Sequence, residues 1–250
     1  MEGTNCEYEA YQSFKRIGFL PRYVHVNELK RDKLSLEDFS VLFIPGGFSA
    51  GDYIRAGVIF AQRLASSSLP DLIKFSDAGK PIIGVCNGFQ VLCELGFLPG
   101  YDFTRRFALS LNDSNRYECR YTYVKMHSKN TLLGEIDVGE SYLVPVAHSE
   151  GKIVVDRQHK TLERLEEESQ IVMKYADPFG NEAGYPWNPN GSEGNIAALS
   201  NPFGNVLGLM PHPERLYELP LDSDRRLIKD PVLGRPFFES LRKYVVSKSF

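Results

Sequence analysis

The sequence predicts an α/β protein: a mostly parallel central sheet with helices on both faces and antiparallel strands added to it. Three observations carry this. Over residues 1–96, short apolar runs alternate with stretches of helical periodicity, as a parallel sheet requires. After Pro99-Gly100 the texture changes to short β-rich runs separated by turn residues. Finally, 250 residues that are 42% hydrophobic suffice for a substantial core, and a single domain over residues 1–250 is expected.

The elements follow in order. Thr4-Asn5-Cys6-Glu7 has the form of a capping box, and Ala10, Tyr11, Phe14 and Ile17 continue at helical spacing until Gly18. Residues 23–26 resemble a short strand, 35–39 a turn or short helix, and 41–44 a buried strand running into Pro45-Gly46-Gly47-Phe48-Ser49. Two helices are predicted next, over 53–64 and 70–78, the second stopped by Gly79. A strand over 81–85 then leads into a helical run over 89–95. In the second half, strands are predicted over 117–126, 142–146, 153–155, 196–199 and 206–209. The last two flank the turn residues Asn201-Pro202-Phe203-Gly204-Asn205 as a hairpin. Residues 176–195, rich in Pro, Gly and Asn, form a long ordered loop, Glu166 to Glu168 mark a solvated helix face, and a helix over 236–246 closes the chain.

Charge and cysteine content exclude several function classes. The net charge is -3 with basic residues scattered, so no phosphate-tracking stripe exists and nucleic acid is not an expected partner. The amino terminus lacks a basic segment followed by an apolar one, and no apolar run approaches the ~18 residues of a membrane span, which predicts a soluble cytosolic protein. Cysteines stand at 6, 86, 93 and 119, without a Cys-x-x-Cys pair or histidines at zinc-finger spacing; neither metal nor disulfide framework is expected. Cys6, Cys93 and Cys119 are assigned structural roles.

Cys86 is different. Gly84-Val85-Cys86-Asn87-Gly88 lies between a strand and a helix, the Gly-x-nucleophile-x-Gly elbow with cysteine in the nucleophile's place. In such an elbow the flanking glycines admit the next helix without a Cβ clash, and unpaired N–H groups at the helix start favour a negatively charged sulfur. A thiolate needs a proton carrier for its leaving group. Among five histidines, His25, His127 and His159 lie in settings that suit bland roles. His212 lies just past a strand, in Met210-Pro211-His212-Pro213-Glu214-Arg215. The two prolines stiffen the backbone, and Glu214 is placed to orient the ring as the acid of a triad does. The amide of Asn87 and the amides of the Gly46-Gly47 loop are the natural oxyanion donors.

Taken together, these segments resemble the class I glutamine amidotransferases, and within them the glutaminase components of phosphoribosylformylglycinamidine synthase, an enzyme of purine synthesis. The more specific markers are the Asn87-Gly88-Phe89-Gln90 ending, the Pro45-Gly46-Gly47-Phe48-Ser49 loop with Gly51-Asp52, Asn112-x-Ser114-x-Arg116, Asn188-Pro189-Asn190-Gly191-Ser192 and the His212 segment. The resemblance implies a flavodoxin-like sheet and a Cys86-His212-Glu214 triad that hydrolyses L-glutamine. It also implies that Gln90 contacts the bound amino acid, with His148, in Ala147-His148-Ser149-Glu150-Gly151, beside it. Ammonia would pass to a large synthetase subunit, with the small subunit as a further partner. No cofactor is implied in this chain, which shows no Walker A loop; ATP and Mg²⁺ would belong to the synthetase.

Two departures follow from the resemblance. An apolar strand precedes the Gly-x-Asn-Cys stretch in the family, whereas Met1 and Glu2 alone do so here. The first strand is therefore expected to be missing, through a start codon placed too far downstream. The tail over 216–250 is longer than the family pattern. Two rival readings share parts of the pattern: a related cysteine hydrolase or peptidase, and a non-catalytic binding subunit.

Overall fold

Helix α1 (Glu7–Arg16) opens the computed structural model, which describes residues 3–30, 34–100, 107–218 and 231–250. Met1, Glu2 and residues 219–230 of the tail therefore lie outside the described residues. The expected capping box does not form. Cys6 is the N-cap of α1 without a side-chain cap bond, and Thr4 Oγ1 donates to the Glu7 carboxylate instead. The reason lies in tertiary structure: residues 3–5 are drawn out against the loop after the next strand, with Asn5 N–H donating to Gly46 O and Phe48 N–H to Gly3 O.

Residues 23–26 are not a strand either; Val26 begins a short helix, α2 (Val26–Lys30). Strand backbone needs a neighbour to satisfy its N–H and C=O groups. Residues 23–26 face strand β1 (Leu42–Ile44) across an apolar groove of about 820 Å³ lined also by Phe14, Phe19 and Phe60. Among the described residues, β1 pairs with one strand only. The helices expected over 53–64 and 70–78 are one helix, α3 (Val58–Asp77), that runs through Pro70. Proline removes a single N–H bond, whereas Phe60, Ala61 and Leu64 before it and Leu72 and Phe75 after it bury the same apolar face.

The fully buried β2 (Ile82–Val85) follows and leads into α4 (Asn87–Glu94). Then come β3 (Phe107–Leu111), β4 (Glu118–Met126), β5 (Ser141–His148), β6 (Glu150–Val155), α5 (Thr161–Glu167), β7 (Ile171–Ala176), β8 (Ile196–Ser200), β9 (Val206–Leu209) and α6 (Gly234–Lys248). The seven-stranded sheet has the order β1-β2-β9-β8-β7-β4-β5. Strands β1, β2 and β9 run parallel, in register through Ile44, Gly84 and Gly208, and β8, β7, β4 and β5 extend the sheet antiparallel. The sequence pattern misses β3 and β7. It also misplaces β6, which leaves the main sheet to form a separate ribbon with β3.

One continuous apolar core joins both halves of the sheet. The long loop over 176–195 is anchored on the antiparallel half, where the Trp187 ring meets Tyr123 edge-on at 5.7 Å and its carbonyl accepts from Thr122. The closing helix docks through Phe238, which packs on Phe14 of α1 at 5.3 Å and on Tyr217 at 6.0 Å. Among the described residues, no helix is long and apolar enough to cross a membrane.

Candidate active site

The elbow forms as the glycine spacing demands. Cys86 has φ 52° and ψ −106°, a conformation costly for a residue with a side chain, and it is held by its N–H bond to Leu209 O on β9. The turn brings α4 back so tightly that a Cβ on Gly84 would stand 2.4 Å from Gly88 O, and one on Gly88 would stand 2.0 Å from Ile44 O. Only hydrogen fits at either position. The Cys86 thiol points toward Ala147 at the end of β5, donating to its carbonyl at 3.6 Å.

The loop after β1 supplies the facing wall. Gly47 adopts φ +136°, and a Cβ there would lie 2.4 Å from Gly3 O. The bridge between this loop and residues 3–5 uses the amides of Asn5 and Phe48, so the Gly47 N–H stays out of it. Asn87, first residue of α4, has no carbonyl four positions back in the helix for its own N–H. Its side chain ties the two walls together. Asn87 Oδ1 accepts from the Ser49 hydroxyl at 2.6 Å, while Nδ2 donates to Gln90 Oε1 at 2.9 Å. Gln90 in turn donates to the Glu150 carbonyl at 2.8 Å.

His212 reaches the same cleft from the end of β9. Its N–H donates to Pro145 O, and its Nδ1 meets Glu214 Oε1 at 2.6 Å in a pair that is almost wholly buried. Burial works against the charged ring. The Glu214 carboxylate and the Cys86 sulfur nevertheless hold its pKa well above the ordinary histidine value. Nε2, the other nitrogen, is buried without a hydrogen-bond partner of its own.

His148 lines the same cavity, of about 430 Å³, yet stays neutral. Burial, then the charge of His212, push its pKa down to about 3, and its Nδ1 meets the Asn112 side-chain oxygen at 3.1 Å. Asn112 also donates to the His148 and Arg116 carbonyls, which explains the Asn112-x-Ser114-x-Arg116 motif as a brace. Asn188, Asn190 and Ser192 form a second brace under Gly151 and Ile153.

The structure thus gathers Cys86, His212, Glu214, Gly47, Asn87, Gln90 and His148 around one cleft. His127 and His159 pair with surface carboxylates, and His25 accepts from a neighbouring amide. Cys6, Asp52, Tyr117 and Glu150 also line the cleft; the sequence assigns Cys6 a structural role and Tyr117 only a strand position, and places Asp52 and Glu150 within motifs without a role of their own. Cys6 is buried with its sulfur against His212, because residues 3–6 fold over the Gly46-Gly47 loop. The position of Cys6 in a Gly-x-Asn-Cys stretch was the available signal. Burial, and then the charge of Glu150, raise the Asp52 carboxyl to about 6.

Comparison with known proteins agrees with this geometry. Residues 1–245 match the CobB/CobQ-like glutamine amidotransferase domain family. The phosphoribosylformylglycinamidine synthase subunit PurQ of Picrophilus torridus is 52% identical over 242 residues, covering 96% of this chain and 94% of that protein. Its counterpart in Archaeoglobus fulgidus is 46% identical over 231 residues, covering 87% of this chain and 85% of that protein. Among solved structures, PurLQS from Thermotoga maritima superposes with a TM-score of 0.74 at 30% identity, covering 97% of this chain and 94% of that one. With a nucleophile elbow, a buried His-Glu pair and a match along nearly its whole length, this chain belongs to the CobB/CobQ-like glutamine amidotransferase family.

Proposed function

We propose that this chain is the glutaminase subunit of a phosphoribosylformylglycinamidine synthase, with Cys86, His212 and Glu214 as its catalytic residues. The observation that carries the assignment is the convergence of the Cys86 elbow and the buried His212–Glu214 pair on one cleft. The Cys86 thiolate attacks the side-chain amide carbon of L-glutamine, and the N–H groups of Gly47 and Asn87 receive the oxyanion. His212, oriented by Glu214, gives its proton to the departing nitrogen, and the carbon–nitrogen bond breaks to leave a glutamyl thioester and ammonia. The same ring then takes a proton from water as the water attacks the thioester, so that glutamate leaves and the thiolate is restored. Gln90, fixed between Asn87 and Glu150, is placed to hold the substrate's amino-acid end, with His148 as a neutral wall beside it.

Free ammonia in neutral water is captured as ammonium, which is not a nucleophile. The product is therefore passed within the complex to the synthetase subunit, which uses it with ATP and Mg²⁺ to make formylglycinamidine ribonucleotide. The complex is assigned to the cytoplasm. The test is Cys86→Ser in the complete complex. Glutamine-dependent synthesis should fall by about 10⁴-fold or more, while synthesis driven by added ammonia persists. Undiminished glutamine use by the variant would remove Cys86 from the chemistry.

A further inference from the structure

A second thiol stands in the cleft, and the hydrolysis of glutamine has no step for it. Cys6 is 6% exposed, its Sγ 3.4 Å from the point where a Cβ on Gly46 would stand; that point is 2.7 Å from His212 Cε1. The Cys6 sulfur, an imidazole nitrogen of His212 and a carboxylate oxygen of Glu214 all lie within 4.8 Å of one another. One further atom marks the cluster as unsatisfied: Glu214 Oε2 is buried without a hydrogen-bond partner.

Thiolate, imidazole and carboxylate are the three ligand types of zinc, and neighbouring ligands on one tetrahedral zinc stand about 3.4–3.6 Å apart. The trio reaches that spacing when the sulfur closes in from within 4.8 Å and the 2.6 Å His212–Glu214 hydrogen bond opens to admit the ion. The cavity that Cys6 shares with Cys86 and His212 is the way in. We propose that Cys6, His212 and Glu214 form a zinc site whose occupancy switches the glutaminase off. Binding forms a zinc thiolate on Cys6 and a zinc-bound neutral imidazole on His212, and releases two protons to solvent, one from the thiol and one from the imidazolium. The bound ion takes His212 out of proton transfer and Glu214 out of its orienting role. The inhibition rests on the catalytic reading of His212, whereas the binding does not, so the two are tested separately.

Binding is measured on the full chain carrying Cys86→Ala and Cys119→Ser, which leaves Cys6 and the buried Cys93 as its only thiols. Titration with zinc chloride in a calorimeter should show one ion per chain, and cobalt(II) should give a thiolate charge-transfer band. Adding Cys6→Ala should weaken zinc binding by about 100-fold or more, since even outer-shell partners are worth about 10–100-fold. If that variant misfolds by circular dichroism, Cys6→Ser in the same background replaces it. For inhibition, glutamate release by the wild-type complex should be lost with zinc and restored by a chelator. Cys6→Ser should need about 100-fold more zinc relative to its own uninhibited rate. No zinc binding in the Cys86→Ala chain, or equal binding with and without Cys6, overturns the proposal. Equal zinc sensitivity of wild type and Cys6→Ser also overturns it, placing the ion on Cys86 and His212.

Discussion

The parallel and antiparallel halves of the sheet each send one histidine into the same cleft, and they treat the ring in opposite ways. His212, at the end of β9, sits 2.6 Å from a buried carboxylate and is held toward the charged form. His148, at the end of β5, meets an amide oxygen and is driven toward the neutral form. Both are buried. Burial alone therefore decides nothing here: a carboxylate within hydrogen-bond distance reverses its effect. The parallel half carries the charge-bearing chemistry, and the antiparallel half closes the cleft with a wall that does not compete for protons.

The sharpest way to break this comparison is Glu214→Gln, which gives His212 an amide partner like that of His148. Glutamate release should drop by about 10⁴-fold, the loss seen when a serine-protease triad loses its acid. The His212 ring, followed by NMR against pH, should lose its raised pKa. A variant that keeps both activity and ring titration would show that Glu214 is not what separates the two histidines.

Packing should differ between regions as well. Gly88→Ala forces a methyl to within 2.0 Å of Ile44 O, between α4 and β1, and should cost about 1–3 kcal/mol or more in urea unfolding. Gly184→Ala, in the loop over the antiparallel half, meets nothing within 4 Å and should shift stability by no more than about 0.5 kcal/mol. Equal losses would erase the contrast.

The two rings should also give stability opposite slopes with pH. For His148, the folded pKa of about 3 lies below the ordinary 6.5. Its contribution is complete above 6.5 and is lost as pH falls toward 3. For His212, whose folded pKa is raised, the contribution is complete below 6.5 and is lost as pH climbs through the folded value. Unfolding measured across pH for His148→Gln should show a shallower acid decline than the wild type, and His212→Gln a shallower alkaline one. A single shared slope would refute the assignment.

The smallest effect is expected at Asp52. Its folded pKa of about 6 exceeds the ordinary 3.8, so stability falls as pH rises from about 4 to about 6, and Asp52→Asn should flatten that decline. An unchanged profile in the variant would mean that burial and the Glu150 charge do not raise the Asp52 carboxyl.

The sequence by itself picked out the residues of the candidate site. Gly84, Cys86 and Gly88 are spaced for an elbow in which Gly84 meets Gly88 O within the turn itself, so the motif is readable from the chain, although Gly88 also meets Ile44 of β1. The same holds for His212 and Glu214, two residues apart on a stretch stiffened by prolines. The apolar run 206–209 also declared itself, because a buried strand must be apolar on both faces, whereas 41–44, expected to be buried, is a half-buried edge strand among the described residues.

Tertiary structure decided what depends on a partner. Residues 23–26 have strand composition but no ladder to join, α3 continues through Pro70 because its apolar face is buried on both sides, and the capping box yields to the bridge with Gly47. Cys6 acquires its place beside His212 only when residues 3–6 fold over a loop about forty residues away. Contacts between distant segments are set by the free energy of the whole packed core, which no local pattern records.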